Sequence, residues 1–330
     1  MNRASSPTGW VRNPVMKSLD LDPTQASSYE LGWTYNPFTG CLNHIDGLCK
    51  GGGFPCYAHR LANGRLASRY TANRNTANGN ITTFALSDPF YPRFWPERLY
   101  HPWGGEPKGI FVCDMSDLFG IGIPEEWTNK VLNLCRLHKQ NRYYLLTKQP
   151  QNLLRWSPFP DNCYVGVTAT DYWKYVDACN YLSRMEASVK FLSLEPLLSW
   201  DKEPTYFFQS GGVSWLVIGA CTGSLEDIKK VNYAHKDTDG LMPMPYGNRW
   251  TLQPKIEWVK EIVEAADKAG IPVFLKDNLK PLLETLDITE TSFGRLTSLK
   301  VEAIKDAQGL PRQRGWYELR QEMPDLLARE

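Results

Sequence analysis

The chain has 330 residues, of which 42% are apolar and 12% aromatic, with 37 Lys and Arg set against 36 Asp and Glu. Such a composition supplies a sizeable core and excludes a mainly disordered protein. The near-cancelling charge excludes a global field that would draw the chain onto nucleic acid or an anionic membrane, so any such binding has to come from a local patch. The longest clean apolar run, Trp215 to Cys221, falls far short of the roughly 20 residues of a membrane span. Met1 to Leu19 has no apolar leader core, and we expect a cytoplasmic protein with no membrane contact.

In chain order, a strand is expected near Trp33–Thr39, then a helix, then a long ordered loop from Asn73 to Pro107 rich in Asn, Pro and aromatics. Short apolar runs follow at Gly109–Cys113, Tyr143–Leu146, Tyr164–Val167, Phe191–Leu194, Trp215–Ile218 and Val273–Leu275. Runs that are continuous rather than alternating suit strands buried on both faces of a parallel sheet. Helical patterns lie between them at Glu125–Lys139, Asp171–Met185 and Lys255–Lys268, the last with Ile256, Val259, Ile262 and Val263 on one face. A loop is expected at Asp237–Asn248, and the tail offers a small strand or two at Gly294–Val301 and a charged helix at Trp316–Arg329. The alternation predicts an α/β fold, a full or partial (β/α)6–8 barrel of TIM type with long loops. We divide the chain into an N-terminal extension (1–30), the barrel (31–282) and a C-terminal extension packed on it (283–330).

Eight cysteines are present. Cys113, Cys135, Cys163, Cys179 and Cys221 are scattered singly and read as buried thiols, whereas Cys41, Cys49 and Cys56 crowd into sixteen residues. Three thiolates on one loop can hold an iron–sulfur cluster, or zinc with His44 or His59 as a fourth ligand. Spacing alone leaves both open. A [4Fe–4S] cluster held by three cysteines keeps one iron free, and the end of the first barrel strand is where barrel enzymes carry their chemistry.

Trp33-Thr-Tyr-Asn36-Pro37-Phe-Thr39-Gly40-Cys41 followed by Cys56-Tyr57-Ala58 resembles the opening of the phage Gp37/Gp68 family (DUF5131), a divergent radical S-adenosylmethionine (SAM)-like family. The resemblance continues through Phe111–Phe119, Leu146–Pro150, Tyr164–Thr168, Phe191–Leu198, Trp215–Gly219 and Pro272–Lys276. Two departures stand out. The cysteines are spaced C-x7-C-x6-C instead of the usual radical SAM C-x3-C-x2-C, with Lys50-Gly51-Gly52-Gly53-Phe54-Pro55 as an apparent insertion. After the sixth strand the family often has Gly-Gly-Glu-Ser-Gly, and this chain has Gly219-Ala220-Cys221-Thr222-Gly223.

The resemblance implies a radical SAM enzyme in which Cys41, Cys49 and Cys56 hold a [4Fe–4S] cluster that reductively cleaves SAM to a 5′-deoxyadenosyl radical. It also implies an external electron donor and an unidentified substrate, a nucleic-acid base or nucleotide being the favoured class. SAM needs polar partners at the strand ends. Asp114 or Ser116, in preference to Asp117, would meet the methionyl amine, and Lys148 a carboxylate or phosphate. Thr168 and Thr170 would reach ribose, Glu195 cofactor or substrate, and Gly219 the adenine. A carboxylate directly after a buried strand, as at Glu195, needs a partner; Lys148 and Lys276 are the candidates. Arg60, Arg65, Arg69 and Arg74 read either as a phosphate-binding run or as a solvated helix face. The alternative function is a zinc-stabilised, non-redox barrel acting as a binding protein, with a partner subunit as a further possibility under either reading.

Overall fold

The computed structural model describes residues 2–3, 10–11, 32–100, 105–201, 208, 211–234, 241–287, 289–305 and 311–324. Seven parallel strands lie side by side in chain order: β1 (Trp33–Tyr35), β2 (Gly109–Val112), β3 (Arg142–Thr147), β4 (Cys163–Thr168), β5 (Val189–Leu194), β6 (Trp215–Ile218) and β7 (Val273–Leu275). Asn2–Arg3 adds an antiparallel edge on β1. Between strands run α1 (Tyr57–Asn63), α2 (Ala67–Ala72), α3 (Glu125–Leu137), α4 (Tyr172–Ser183), α5 (Leu225–Ala234) and α6 (Ile256–Ala269). The sheet is therefore a partial barrel, with β1 and β7 near opposite edges. On the open edge of β7, the Leu275 amide donates to the Arg320 carbonyl (2.8 Å) and the Glu322 amide to the Val273 carbonyl (3.0 Å). This cover occupies an edge that would otherwise be free to pair elsewhere.

Alternation along each strand sorts the sheet into two faces. Outward residues such as Ile110, Val112, Leu145, Val165, Leu192, Leu216 and Ile218 pack under Val131, Leu132, Ala178, Leu182, Ile262 and Val263 of the helices. Inward residues Phe111, Tyr144, Tyr164, Phe191, Trp215 and Phe274 close round Trp10. The Trp10 ring meets those of Phe111, Tyr144, Phe191 and Trp215 edge-on, with centroids 5.3–5.7 Å apart. Both faces are apolar, and the runs in the sequence are continuous for that reason. α6 buries Val259, Ile262, Val263 and Ala266 along one stripe and stops at Gly270, whose φ of +67° is the left-handed conformation that ends helices.

Three sequence expectations need correction. Met242–Tyr246 is not loop but an antiparallel strand on Arg249–Gln253, which pairs in turn with Cys221–Gly223. Its two prolines fit because the strand lies on the edge of that small sheet, where a missing N–H is tolerated. The first residues of the expected loop, 237–240, lie outside the described residues. In the tail, Thr291–Leu296 is helix and Thr297–Lys305 pairs with Pro311–Leu319, so Trp316–Leu319 is strand and not the start of a charged helix. Trp316 and Tyr317 are aromatic residues that favour a strand, a preference that the flanking charges obscured. The segment from Asn73 to Tyr100 is ordered as expected but carries short helices and a strand pair. Its centre is Arg93, which is fully buried and donates to the carbonyls of Asn73, Ala85, Leu86, Asp88 and Tyr91 at 2.7–2.9 Å. A buried cation with its donors so widely matched acts as a knot for the whole segment.

Candidate functional site

The chain leaves β1 through Gly40 (φ +89°), where a Cβ would stand 2.5 Å from the Phe90 carbonyl oxygen. Cys41 follows. Next comes a small hairpin, His44–Ile45 against Leu48–Cys49, closed by Asp46-Gly47 with both φ values positive, the turn that an Asp-Gly pair favours. The glycine insertion then folds back on itself: the Gly53 amide donates to the Cys49 carbonyl (2.7 Å), the Cys49 amide to Phe54 (3.0 Å) and the Cys56 amide to Gly47 (2.8 Å). Gly53 has φ +68°, and a Cβ on Gly51 would lie 2.7 Å from that of Lys148. The triple glycine is thus what lets the stretched spacing close into a compact loop, with Cys56 directly ahead of α1.

Cys41, Cys49 and Cys56 line one cavity of ≈ 190 Å³ at the C-terminal ends of the strands. Asp114, Ser116, Lys148, Thr168 and Glu195 line it as well, whereas Gly219 does not. A Cβ on Gly219 would be 3.0 Å from the Lys276 chain and 3.1 Å from that of Glu195, so this glycine makes room for their ion pair on the cavity wall. Of the two lysines considered as partners, Lys276 is the one paired with Glu195; its side chain is 4% exposed, that of Glu195 21%. Thr170 is buried away from the cavity, its carbonyl accepting from the Leu198 and Ser199 amides.

Among the residues after β2, roles divide by geometry. The Asp117 carboxylate accepts from the Thr147 hydroxyl (2.9 Å) and from the amides of Lys148 (3.1 Å) and Phe119 (3.0 Å), a turn-holding position. The Ser116 hydroxyl donates to the Gly40 carbonyl (2.5 Å) and ties this turn to the cysteine loop. Asp114 accepts from the Asn36 amide, and the Tyr57 hydroxyl donates to the Asp114 carbonyl. Burial raises the Asp114 pKa, partly opposed by Asn36. Asp114 follows Cys113, whose φ of +64° turns the chain sharply as it leaves β2.

The thiols sit in a demanding setting. Burial, then the charge of Asp117, pushes Cys41 up to about 12, with the Asn43 amide (3.3 Å from Sγ) and the neighbouring Cys49 and Cys56 also acting on it. Burial also raises Cys56. For Lys148 burial alone would lower the ammonium, but Cys49, Asp117, Cys56 and Glu195 turn the balance upward. The His44 and His59 rings meet at a tilt (centroids 4.8 Å apart) and both pack on Phe90 (5.3 Å), and neither lines the cavity. Among the described residues no three His, Cys, Asp or Glu side chains are grouped tightly enough to hold a metal ion.

The donor chemistry nonetheless fits a cofactor at this mouth. Thr168 Oγ1 is buried without a hydrogen-bond partner on the cavity wall, an atom that a bound polar group would satisfy. Sequence reasoning passed over Asn278 and Arg249. Asn278 lines the cavity and clamps Ala220 through its amide (2.7 Å to the carbonyl). Asn278 sits in the turn Asp277–Leu279 just past β7, and its nearness to that strand's end is the signal that would have found it. Arg249 comes from the hairpin misread as loop, which had no such signal.

The sequence matches the family described as Protein of unknown function (DUF5131) over residues 29–236. The chain belongs to that family. No protein of curated function matches it. Similar solved structures include a cysteine-to-serine variant of spore photoproduct lyase, at TM-score 0.43 and 12% identity over 79% of this chain and 80% of that one. Spore photoproduct lyase complexed with dinucleoside spore photoproduct is similar at TM-score 0.42 and 11% identity, with the same coverage. A double variant of that lyase with bound AdoMet and the dinucleoside gives 0.40 and 13%, again over 79% and 80% of the two chains. Among the described residues no helix is long and apolar enough to cross a membrane.

Proposed function

We propose that this DUF5131 protein is a radical SAM-type enzyme, with Cys41, Cys49 and Cys56 holding a [4Fe–4S] cluster and the opposite wall of the cavity holding SAM. The observation that carries the proposal is the convergence of three thiols from one loop on a cavity at the C-terminal mouth of a seven-strand parallel half-barrel. When bound, the cluster would supply the electron that cleaves the SAM sulfonium. The chain's own residues have the other tasks. Burial raises the Cys41 and Cys56 thiols, and a cationic cluster bound there would favour their thiolates, the protons being released to solvent. Lys148, next to those thiols, offers a cation to an anionic group in the cavity. Asp114, held by Asn36, offers an acceptor for an ammonium. Thr168 and Ser193 offer hydroxyls, and the aromatic floor of Trp10 and Phe111 excludes water from below.

A single structural zinc needs four ligands at about 2.0–2.3 Å from one point. Neither His44 nor His59, the fourth ligands considered for zinc, lines the cavity with the three thiols. Anaerobic purification, loading with iron and sulfide, then addition of dithionite and SAM tests the proposal. The expected result is broad sulfide-to-iron absorbance and release of 5′-deoxyadenosine. About one zinc per chain and no iron from anaerobic cells would instead favour a zinc-stabilised binding protein.

A further inference from the structure

Beside the cavity mouth the charge of the chain is far from balanced. Between Asp46 and Asp88 there is no acidic residue, and Lys50, Arg60, Arg65, Arg69 and Arg74 all fall in that interval. Arg60, on the cavity rim, is neutralised by Asp227 across the mouth at 2.5 Å. Arg65 in the turn ahead of α2, Arg69 on α2 and Arg74 after its exit then follow, all exposed. Arg69 lies 5.6 Å from the Trp95 ring and Arg98 lies 4.2 Å over the same ring, so a further cation joins the strip.

Two exposed rings lie in the segment that follows these cations. Phe84 is 68% exposed, on a short helix (Thr83–Ser87) that Arg93 holds against Asn73, the neighbour of Arg74, through the carbonyls of Asn73, Ala85 and Leu86. Tyr100, two residues beyond Arg98, is 86% exposed. Guanidinium forks match phosphate oxygens in pairs, and flat rings in water offer stacking platforms for unpaired bases. A duplex conceals its base faces, so rings open to water favour an unpaired strand.

We propose that this face binds single-stranded nucleic acid, with phosphates on Arg65, Arg69 and Arg74, bases against Phe84 and Tyr100, and the strand running past Arg60 towards the cavity. The proposal gives a substrate class to the radical SAM reading and rests on it for the chemistry in the cavity, but not for the binding. A base treated in a cavity of this kind has to leave its stack, which a single strand allows at least expense.

The test is fluorescence anisotropy of the full chain with a labelled mixed-sequence DNA strand of about fifteen nucleotides, titrated at several salt concentrations. The wild type should bind with log K falling linearly in log salt. The R65A/R69A/R74A variant should bind at least about tenfold more weakly, with a slope shallower by about 2. The F84A/Y100A variant should lose affinity by about tenfold or more with its slope unchanged. Circular dichroism confirms that both variants are folded. No binding by the wild type, equal binding by the triple-arginine variant, or equal preference for the blunt duplex overturns the proposal, and equal competition by polyglutamate assigns the face to an acidic protein instead. Iron-depleted protein should bind the strand as well as loaded protein. Binding that survives while 5′-deoxyadenosine never forms would thus sink the radical chemistry alone.

Discussion

The two ends of the half-barrel interior are built from the same strand faces and are chemically opposite. At one end Trp10 fills the space between Phe111, Tyr144, Phe191 and Trp215, and every one of these side chains is buried. At the other end the same inward periodicity continues into Lys148, Thr168, Ser193, Glu195 and Lys276, facing three thiols. The aromatic end is what packing alone produces. The polar end retains a partly buried ion pair and an unpartnered hydroxyl that packing alone would not keep, the pattern expected where a fold trades stability for a bound group.

The comparison breaks most visibly at the thiols. Replacing Cys41, Cys49 or Cys56 with Ser is expected to bring iron loading and 5′-deoxyadenosine release to background while the thermal midpoint moves by only a few degrees, because a serine nearly matches the thiol in size. Iron analysis beside a melting curve checks it; retained iron in any single variant would remove that cysteine from the ligand set. At the other end Trp10→Ala should do the reverse. Loss of a fully buried indole with four ring neighbours is expected to cost about 3–5 kcal/mol in urea unfolding, whereas the cysteine loop keeps its local hydrogen bonds.

Lys276→Met probes the boundary between the two ends. It leaves Glu195 on the cavity wall without its partner, and since that carboxylate is partly hydrated the expected loss is about 2–3 kcal/mol, less than for a fully buried charge. Adding Glu195→Leu should recover most of this, because an apolar pair substitutes well for an ionic one. A double variant no more stable than the single one would mean that Glu195 has another partner of equal weight.

How much of this was open to sequence reasoning follows from the same contrast. Strands sandwiched between two apolar layers announce themselves, and Trp215–Ile218 and Val273–Leu275 occupy the expected bounds. The cavity residues Asp114, Lys148, Thr168 and Glu195 were reached from the family resemblance and their place at the strand ends, where they do line the cavity, whereas Gly219 and Thr170, chosen the same way, do not. The hairpin carrying Arg249 was hidden because Pro243 and Pro245 suppress the strand pattern that an edge strand can do without. Trp10 was hidden for a different reason: its place in the interior depends on contacts with residues about a hundred or more positions away, and nothing near it in the chain signals them.

The smallest expected effect is also the sharpest test of what the polar end is for. Thr168→Val keeps the shape of the side chain and removes a hydroxyl that is buried without a partner on the cavity wall. An unmatched buried hydroxyl carries a desolvation penalty with no compensating bond, so the variant free of ligand is expected to be as stable as the wild type or more so, by up to about 1 kcal/mol. If the hydroxyl is kept for a bound polar group, affinity for SAM should fall by about fivefold, the worth of one neutral hydrogen bond. The two readouts move in opposite directions, and a purely structural threonine would move them differently. Unfolding midpoints and equilibrium dialysis of the loaded protein measure them; a destabilised variant with unchanged SAM affinity would assign Thr168 to packing and leave the wall of β4 without a ligand contact.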